Sequence, residues 1–257
     1  MTTEDRQLRL PGLRFAFGTL SVLRVRVTRW DRVAGGRAML AAPLVGLVLG
    51  ALAGGLGALV CWRGGALLGA VAAVAALAAL TRGLHLDGLA DVADALGSGK
   101  PAEDALRIMK QSDIGPFGVL SLVLLMLGQI ACLTSQFAHS AERGAVAVLT
   151  AAMAGRCALA WGCLRPVPAA RPGGLGAMVA ATVAVPAALA GTLLSALGLA
   201  LVGGHPRYAL ALTLAQLAAG ALLHRCLRRF GGVTGDVLGA LVETAALAAL
   251  LVLALGP

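Results

Sequence analysis

The feature that most constrains this chain is a series of apolar runs long enough to cross a lipid bilayer. A membrane-spanning helix needs about 20 mostly apolar residues. The sequence offers seven such runs, at roughly 38–61, 65–81, 116–137, 144–164, 175–203, 207–224 and 237–256. Only 13% of the 257 residues are charged, too few to cover the surface of a soluble domain. We predict an all-α, polytopic integral membrane protein with about seven transmembrane helices, the fifth kinked by Pro186.

The basic residues predict how these helices are oriented, because Lys and Arg concentrate on the cytoplasmic side of membrane proteins. If the N-terminus is cytoplasmic, only Arg63, Arg143 and Arg207 fall in outer turns and Arg156 falls within a span. All other basic residues then lie in cytoplasmic segments, including a basic cytoplasmic N-terminal arm at 1–37. We therefore predict a single membrane-embedded domain over 1–257, multi-pass in the cytoplasmic (plasma or inner) membrane.

The net charge of +9 follows from this topology. It predicts attraction to anionic lipid headgroups and not to nucleic acid, so the bilayer is the expected partner.

Acidic residues are few, and most of them are expected on the cytoplasmic side. They collect in a cytoplasmic acidic loop at 82–115 and at the start of the last span: Asp87, Asp91, Asp94, Glu103, Asp104, Asp113, Asp236 and Glu243. Asp87, Asp91 and Asp94 are spaced i, i+4, i+7, so a helix would present them on one face. Like charges at this spacing repel, and a divalent cation would neutralise them. Carboxylate oxygens suit Mg²⁺, with Mn²⁺ as an alternative; the competing interpretation is a solvated acidic face.

Two further motifs frame this cluster. Asp113 precedes the third predicted span, where it is either a helix N-cap or a further ligand or base. The glycine-rich segment that includes Thr234, Gly235 and Asp236 leads into the seventh span. Its backbone N–H groups could receive a phosphate, and Asp236 could bind a metal or cap the helix.

Several other polar residues are candidates for contact with a substrate. Glu243 shares a face with Asp236 inside the seventh span, and Arg156 is its expected partner, in a functional site or in a structural ion pair. His85 adjoins the aspartates and could orient a carboxylate or a phosphate. Arg171 lies within a proline-rich turn at 166–176 and could meet a phosphate.

The motifs resemble those of the cobalamin synthase family, the adenosylcobinamide-GDP ribazoletransferases. The resemblance rests mainly on LHLDGLADVADALG (84–97), IMKQSDIGPFG (108–118) and GGVTGDVLGALVE (231–243), and weaker matches extend it over nearly the whole chain. This chain departs from the family pattern at Ala95, where Gly is usual.

The resemblance implies that α-ribazole or its 5′-phosphate is joined to adenosylcobinamide-GDP, with release of GMP and a requirement for Mg²⁺. The small-molecule partners are then a corrinoid and a ribazole. In this hypothesis Asp87, Asp91, Asp94 and Asp236 hold the metal. Asp113 and Asp91 are catalytic, Asp113 as a further ligand or the general base. The remaining candidates contact substrate: His85, Lys110, Arg156, Arg171, Thr234, Gly235 and Glu243.

Three other functions compete with this one. A transporter would need polar residues at mid-membrane, broken helices in matching positions and an internal repeat. The spans are apolar at their centres apart from Arg156, and no repeat is evident. A CDP-alcohol phospholipid phosphotransferase shares the pattern Asp87-Gly88-Leu89-Ala90 but requires Arg at position 91. A structural scaffold would leave the aligned carboxylates unexplained. The sequence leaves open whether the chain forms a homo-oligomer.

Overall fold

The computed structural model describes residues 3–256, with side chains from Leu10 onward. The side chains of Arg6 and Arg9, which belong to the predicted arm, lie outside the described ones. Eleven helices make up the described range: α1 (Thr3–Leu20), α2 (Arg32–Gly64), α3 (Ala66–Leu80), α4 (Leu84–Gly97), α5 (Ala102–Ile108), α6 (Pro116–His139), α7 (Ala141–Gly162), α8 (Gly174–Val179), α9 (Val185–Gly203), α10 (Arg207–Phe230) and α11 (Gly235–Leu255). The predicted all-α class is confirmed.

Six of these helices are long and apolar enough to cross a membrane, namely α2, α6, α7, α9, α10 and α11. Helix α3 has 15 residues and passes the same test only together with α4, from which it is bent by 88°. The described chain therefore has six or seven candidate spans, in agreement with about seven. Because α4 turns almost perpendicular to α3, we place α4 across the end of the bundle and outside the spans.

The predicted fifth span, 175–203, is wrong as a single helix. The structure divides it into α8 and α9, with Ala181 in the left-handed region at φ 58°. The N–H groups of Thr182 and Val183 both donate to the carbonyl of Cys163, at 3.0 and 2.9 Å. Pro186 does not kink a continuous helix but lies in the first turn of α9, where its missing N–H costs nothing. The break ties the end of α7 to the α8–α9 connection.

The predicted N-terminal arm is largely helical. Helix α1 packs against α2 and buries Phe15, Ala16 and Leu20. The Phe15 ring lies 4.9 Å from that of Trp30, measured between centroids. The segment is thus part of the folded bundle, and its position in the cytoplasm stays a prediction.

Helix α7 forms the centre of the bundle, and small residues let α2 approach it closely. A Cβ atom at Gly46 would lie 2.7 Å from the carbonyl oxygen of Ala152, and one at Gly54 would lie 2.7 Å from that of Ala145. Close backbone packing of this kind stabilises helices in lipid, where the hydrophobic effect gives little attraction between spans. The tight α2–α7 pair provides a rigid base for the end of the bundle that carries the acids.

Candidate active site at the end of the bundle

A sharp turn after α3 directs the acidic helix across the bundle end. Arg82 and Gly83 both adopt left-handed backbone conformations, at φ 55° and 67°. Gly83 is the N-cap residue of α4, which then packs against α11 and α6. The helix expected from the i, i+4, i+7 spacing of Asp87, Asp91 and Asp94 is therefore present. The three carboxylates nevertheless have different surroundings.

Asp94 holds the start of α6. Its Oδ2 accepts a hydrogen bond from the Gly115 N–H at 2.7 Å, and its Oδ1 accepts one from the Gly118 N–H at 2.9 Å. The side chain is buried, at 8% exposure. A negative charge at this position also complements the positive end of the α6 dipole. Asp94 thus fills the capping role that was one alternative for Asp113, whose side chain is exposed and does not cap α6.

The start of α11 is capped by Thr234. Its Oγ1 accepts a hydrogen bond from the Val237 N–H at 3.1 Å and lies 3.2 Å from Oδ2 of Asp236. Asp236 is therefore not the helix cap, and its carboxylate remains available at the bundle end.

The proline-rich segment before α8 brings a cation to this carboxylate. The Ala170 N–H donates to the Val233 carbonyl at 3.0 Å, and the Val233 N–H donates to the Pro168 carbonyl at 2.9 Å. This pairing places Nη1 of Arg171 3.8 Å from Oδ2 of Asp236. Nη2 of Arg171 donates to the Leu106 carbonyl at 2.5 Å. The guanidinium of Arg171 thereby links the loop before α8 to both α5 and α11.

Helices α4 and α11 meet at a glycine. A Cβ atom at Gly88 would lie 2.7 Å from the carbonyl oxygen of Asp236. This close approach brings Asp236 near the α4 carboxylates. Burial, followed by repulsion from Asp236, Asp87 and Asp94, raises the pKa of Asp91 to about 7. The crowding of negative charge is the property that a divalent cation would relieve.

A cavity of about 290 Å³ lies beside this contact. It is bounded by α4, the loop before α8, α8 itself and the start of α11, with smaller contributions from α1, α2 and α7. Asp87, Arg171, Thr234, Gly235 and Asp236 all line it. Residues of the first acidic motif, the proline-rich segment and the glycine-rich motif thus meet at this cavity.

A second cavity, of about 250 Å³, also borders α4. Asp91, Asp94 and Asp113 line it, together with residues of the α5–α6 connection. Lys110 is exposed in the same connection. The acidic residues of α4 therefore line two cavities, with Asp87 at the first and Asp91 at the second.

The described residues do not include a preassembled cluster of three or more His, Cys, Asp or Glu side chains with metal-binding geometry. Asp94 uses both oxygens in hydrogen bonds to α6. Asp87, Asp91 and Asp236 are partly or fully exposed and have the oxygen donors that Mg²⁺ prefers. The chemistry of these donors fits a hard divalent cation that also binds substrate oxygens.

Arg156 and Glu243 do not lie in the cavity with the aspartates. They line a separate, small cavity of about 30 Å³ within the bundle, together with Gln129. Gln129 Nε2 donates to Oε2 of Glu243 at 3.0 Å, and the described ion pairs do not include one between Arg156 and Glu243. The two residues therefore share one small cavity, as expected for partners, but the ion pairs among the described residues do not include a direct one between them.

His85 is buried, at 3% exposure, and it lines the 290 Å³ cavity. Burial, reinforced by the charge of Arg156, holds the pKa of His85 well below its usual value. A neutral imidazole is poorly suited to the phosphate-binding role suggested from the sequence. Its Nε2 atom has no hydrogen-bond partner among the described residues.

Sequence reasoning missed the apolar wall of this cavity and the partner of Glu243. Leu20, Met39 and Leu159 reach the cavity from helices distant in sequence, and no local pattern marks them. Gln129 could have been found, because it is a polar residue within an apolar span.

The fold and this cavity define a polytopic helical membrane protein with a carboxylate-lined site at one end of its bundle. Residues 12–254 match the family described as Cobalamin-5-phosphate synthase. The chain belongs to that family.

Curated relatives extend the comparison. A protein of Frankia casuarinae is 44% identical, with 94% of each chain covered, and one of Nocardioides sp. is 44% identical, with 93% of this chain and 96% of the relative covered. A third, from Stutzerimonas stutzeri, is 42% identical over 86% of this chain and 87% of its own. All three are named adenosylcobinamide-GDP ribazoletransferase. No solved structure matches the chain.

Proposed function

We propose that this protein is an adenosylcobinamide-GDP ribazoletransferase, which joins a ribazole to adenosylcobinamide-GDP and releases GMP. The observation that carries the proposal is 44% identity, over 94% of both chains, to a relative with that name. The acceptor is α-ribazole or its 5′-phosphate, and the product is adenosylcobalamin or its 5′-phosphate.

The reaction exchanges a phosphoanhydride bond for a phosphodiester bond. A ribose hydroxyl of the acceptor attacks the phosphorus nearest the corrinoid, and the bond from that phosphorus to the GMP oxygen breaks. The hydroxyl proton passes to a carboxylate, for which Asp91 and Asp113 are the candidates because both line the 250 Å³ cavity. GMP leaves with the bridging oxygen, so the charge that develops there needs a positive partner.

Arg171 is the best-placed cation for the diphosphate. Its guanidinium is held by Asp236 and by the Leu106 carbonyl, so it enters the cavity already oriented. Lys110 is a second candidate from the α5–α6 connection. The N–H groups of Gly235 and its neighbours at the start of α11 are further donors to phosphate oxygens.

Asp87, Asp91 and Asp236 are the proposed holders of Mg²⁺, with Mn²⁺ as an alternative. When bound, such an ion would neutralise the diphosphate and the departing GMP. Asp94, included among the ligands on sequence grounds, has its oxygens engaged by α6, and we assign it the task of holding α4 in place. The site then faces the cytoplasm at the surface of the inner membrane, as the distribution of basic residues favours.

The direct test is GMP release by the purified protein from adenosylcobinamide-GDP, α-ribazole and Mg²⁺. Asp91→Asn should abolish turnover and leave expression and membrane insertion unchanged. Glu142→Gln is the matched control, because this exposed carboxylate lies in the first turn of α7, at the opposite end of the bundle. Near-normal GMP release by Asp91→Asn would refute the assignment. Release of CMP from a CDP-alcohol donor, without GMP release, would instead favour phospholipid headgroup transfer.

A further inference from the structure

A groove of basic residues lies beside the end of α10, apart from the two cavities that hold the aspartates. It is open, has a volume of about 570 Å³, and is lined by Leu96, Ala221, His224, Arg225, Arg228 and Arg229. No Asp or Glu is among the described residues that line this basic groove. Arg225 and Arg228 are exposed, and the ion pairs of the described residues include neither. Because three guanidinium groups at one groove repel one another, an anionic ligand is favoured there.

The exposed face of α10 indicates which kind of anion fits. Exposed residues recur along this helix at spacings of three and four, so they form one stripe: Leu210, Leu214, Leu217, Ala221, His224 and Arg228. The three leucines are 40–70% exposed, on a helix long and apolar enough to cross a membrane. The stripe is therefore apolar along the span and becomes basic in its last two turns. An acyl chain followed by a charged headgroup has the same order of properties.

Arg229 connects the basic groove to the acidic site. Its Nη2 donates a hydrogen bond to the carbonyl of Lys100, which lies in the connection between α4 and α5. Lys100 also lines the 250 Å³ cavity, together with Asp91 and Asp113. A ligand held by the basic groove would therefore contact a side chain that is bonded to the border of this cavity.

We propose that the basic groove binds the headgroup of an anionic phospholipid, whose acyl chains lie along the exposed leucines of α10. Basic pockets at the ends of spans bind anionic headgroups in other membrane proteins. The bound phosphate neutralises Arg225 and Arg228, and through Arg229 it steadies the connection at Lys100. The binding does not depend on the proposed function, whereas its expected consequence, faster GMP release, rests on it.

The first test measures lipid binding by titrating phosphatidylglycerol into the purified protein in neutral micelles and counting bound molecules by native mass spectrometry. The double variant Arg225→Gln/Arg228→Gln should bind the first phosphatidylglycerol about tenfold more weakly than wild type. Arg24→Gln/Arg26→Gln is the matched control and should bind like wild type. It removes the same charge from exposed residues outside the groove, near Val22, whose N–H donates to the Leu80 carbonyl at the end of α3. Equal weakening in both double variants would overturn the proposal, because net charge alone would then govern binding.

A conservative variant tests the electrostatic basis of the site. Arg225→Lys/Arg228→Lys keeps both positive charges and should retain most of the affinity for phosphatidylglycerol. Affinity as low as that of the glutamine variant would contradict a headgroup site based on charge.

The second test measures GMP release in vesicles of phosphatidylcholine alone and of equal parts phosphatidylcholine and phosphatidylglycerol. Wild type should turn over severalfold faster in the mixed vesicles. Arg225→Gln/Arg228→Gln should match wild type in phosphatidylcholine and gain nothing from phosphatidylglycerol. A raised KM for adenosylcobinamide-GDP in phosphatidylcholine alone would overturn the proposal and assign the groove to a substrate phosphate. Failure of wild type to release GMP in either vesicle would instead refute the proposed function, and the lipid titration would still decide the groove.

Discussion

The double hydrogen bond from α6 to Asp94 predicts a large loss of stability when this side chain is removed. Gly115 is partly exposed, so water can replace its bond to the carboxylate in Asp94→Ala. The Gly118 N–H is buried and would be left unpaired. Hydrogen bonds to charged groups contribute about 1.5–3 kcal/mol each, so the free energy of unfolding should fall by about 3 kcal/mol. Asp94→Asn retains one acceptor oxygen and should lose about half as much.

The measurement is denaturant unfolding in mixed micelles without divalent cations, followed by helical circular dichroism. Glu103→Ala provides the control, since Glu103 is exposed in the first turn of α5. If Asp94 were a metal ligand and not an anchor, Asp94→Ala would unfold like wild type without Mg²⁺ and lose only the stabilisation that Mg²⁺ adds. That result would refute the anchoring role.

Three further predictions concern the site itself. Gly88→Ala should reduce GMP release at least tenfold, because its Cβ would lie 2.7 Å from the Asp236 carbonyl oxygen. Gly55→Ala is the control and should be neutral, because the space around its Cβ is open. Equal activities of the two variants would refute the close α4–α11 contact. Arg171→Met should raise KM for adenosylcobinamide-GDP about tenfold and leave KM for α-ribazole almost unchanged, and a change in the ribazole KM alone would contradict its contact with the diphosphate. Chelation with EDTA should abolish turnover and added Mg²⁺ or Mn²⁺ should restore it, whereas activity in excess chelator would exclude a metal requirement.

Much of the fold followed from the sequence because the bilayer imposes a length on each apolar run. The number of spans and the helical face shared by Asp87, Asp91 and Asp94 are both local properties of the sequence. The fifth apolar run was wrongly predicted to be one helix, because its apolar character continues through residues 181–184. There, backbone hydrogen bonds to Cys163 replace the helical ones. Hydrophobicity alone does not distinguish a helix from a short extended segment packed within the bundle.

The sequence predicted which types of residue form the site better than it predicted their hydrogen-bond and ion-pair partners. Asp87, Asp236 and Arg171 meet at one cavity, and Asp91, Asp94 and Asp113 meet at a second. Their types suggested such a site, since few reasons other than function place carboxylates beside apolar spans. Which acid caps which helix could not be predicted, because Asp94 caps a helix that begins 22 residues later. The placement of Arg156 and Glu243 at one small cavity, without a direct ion pair, likewise depends on how α7, α6 and α11 pack.

The attachment of α4 to two different spans has a mechanical consequence. Gly88 fixes its middle to α11, and Asp94 fixes its far end to α6. The short helix therefore connects two spans, and its carboxylates would shift if α6 and α11 tilted relative to each other. Because spans tilt to match the thickness of the surrounding lipid, the distance between Asp91 and Asp236 becomes sensitive to acyl-chain length. Turnover in this arrangement would report on the thickness of the membrane in which the protein sits.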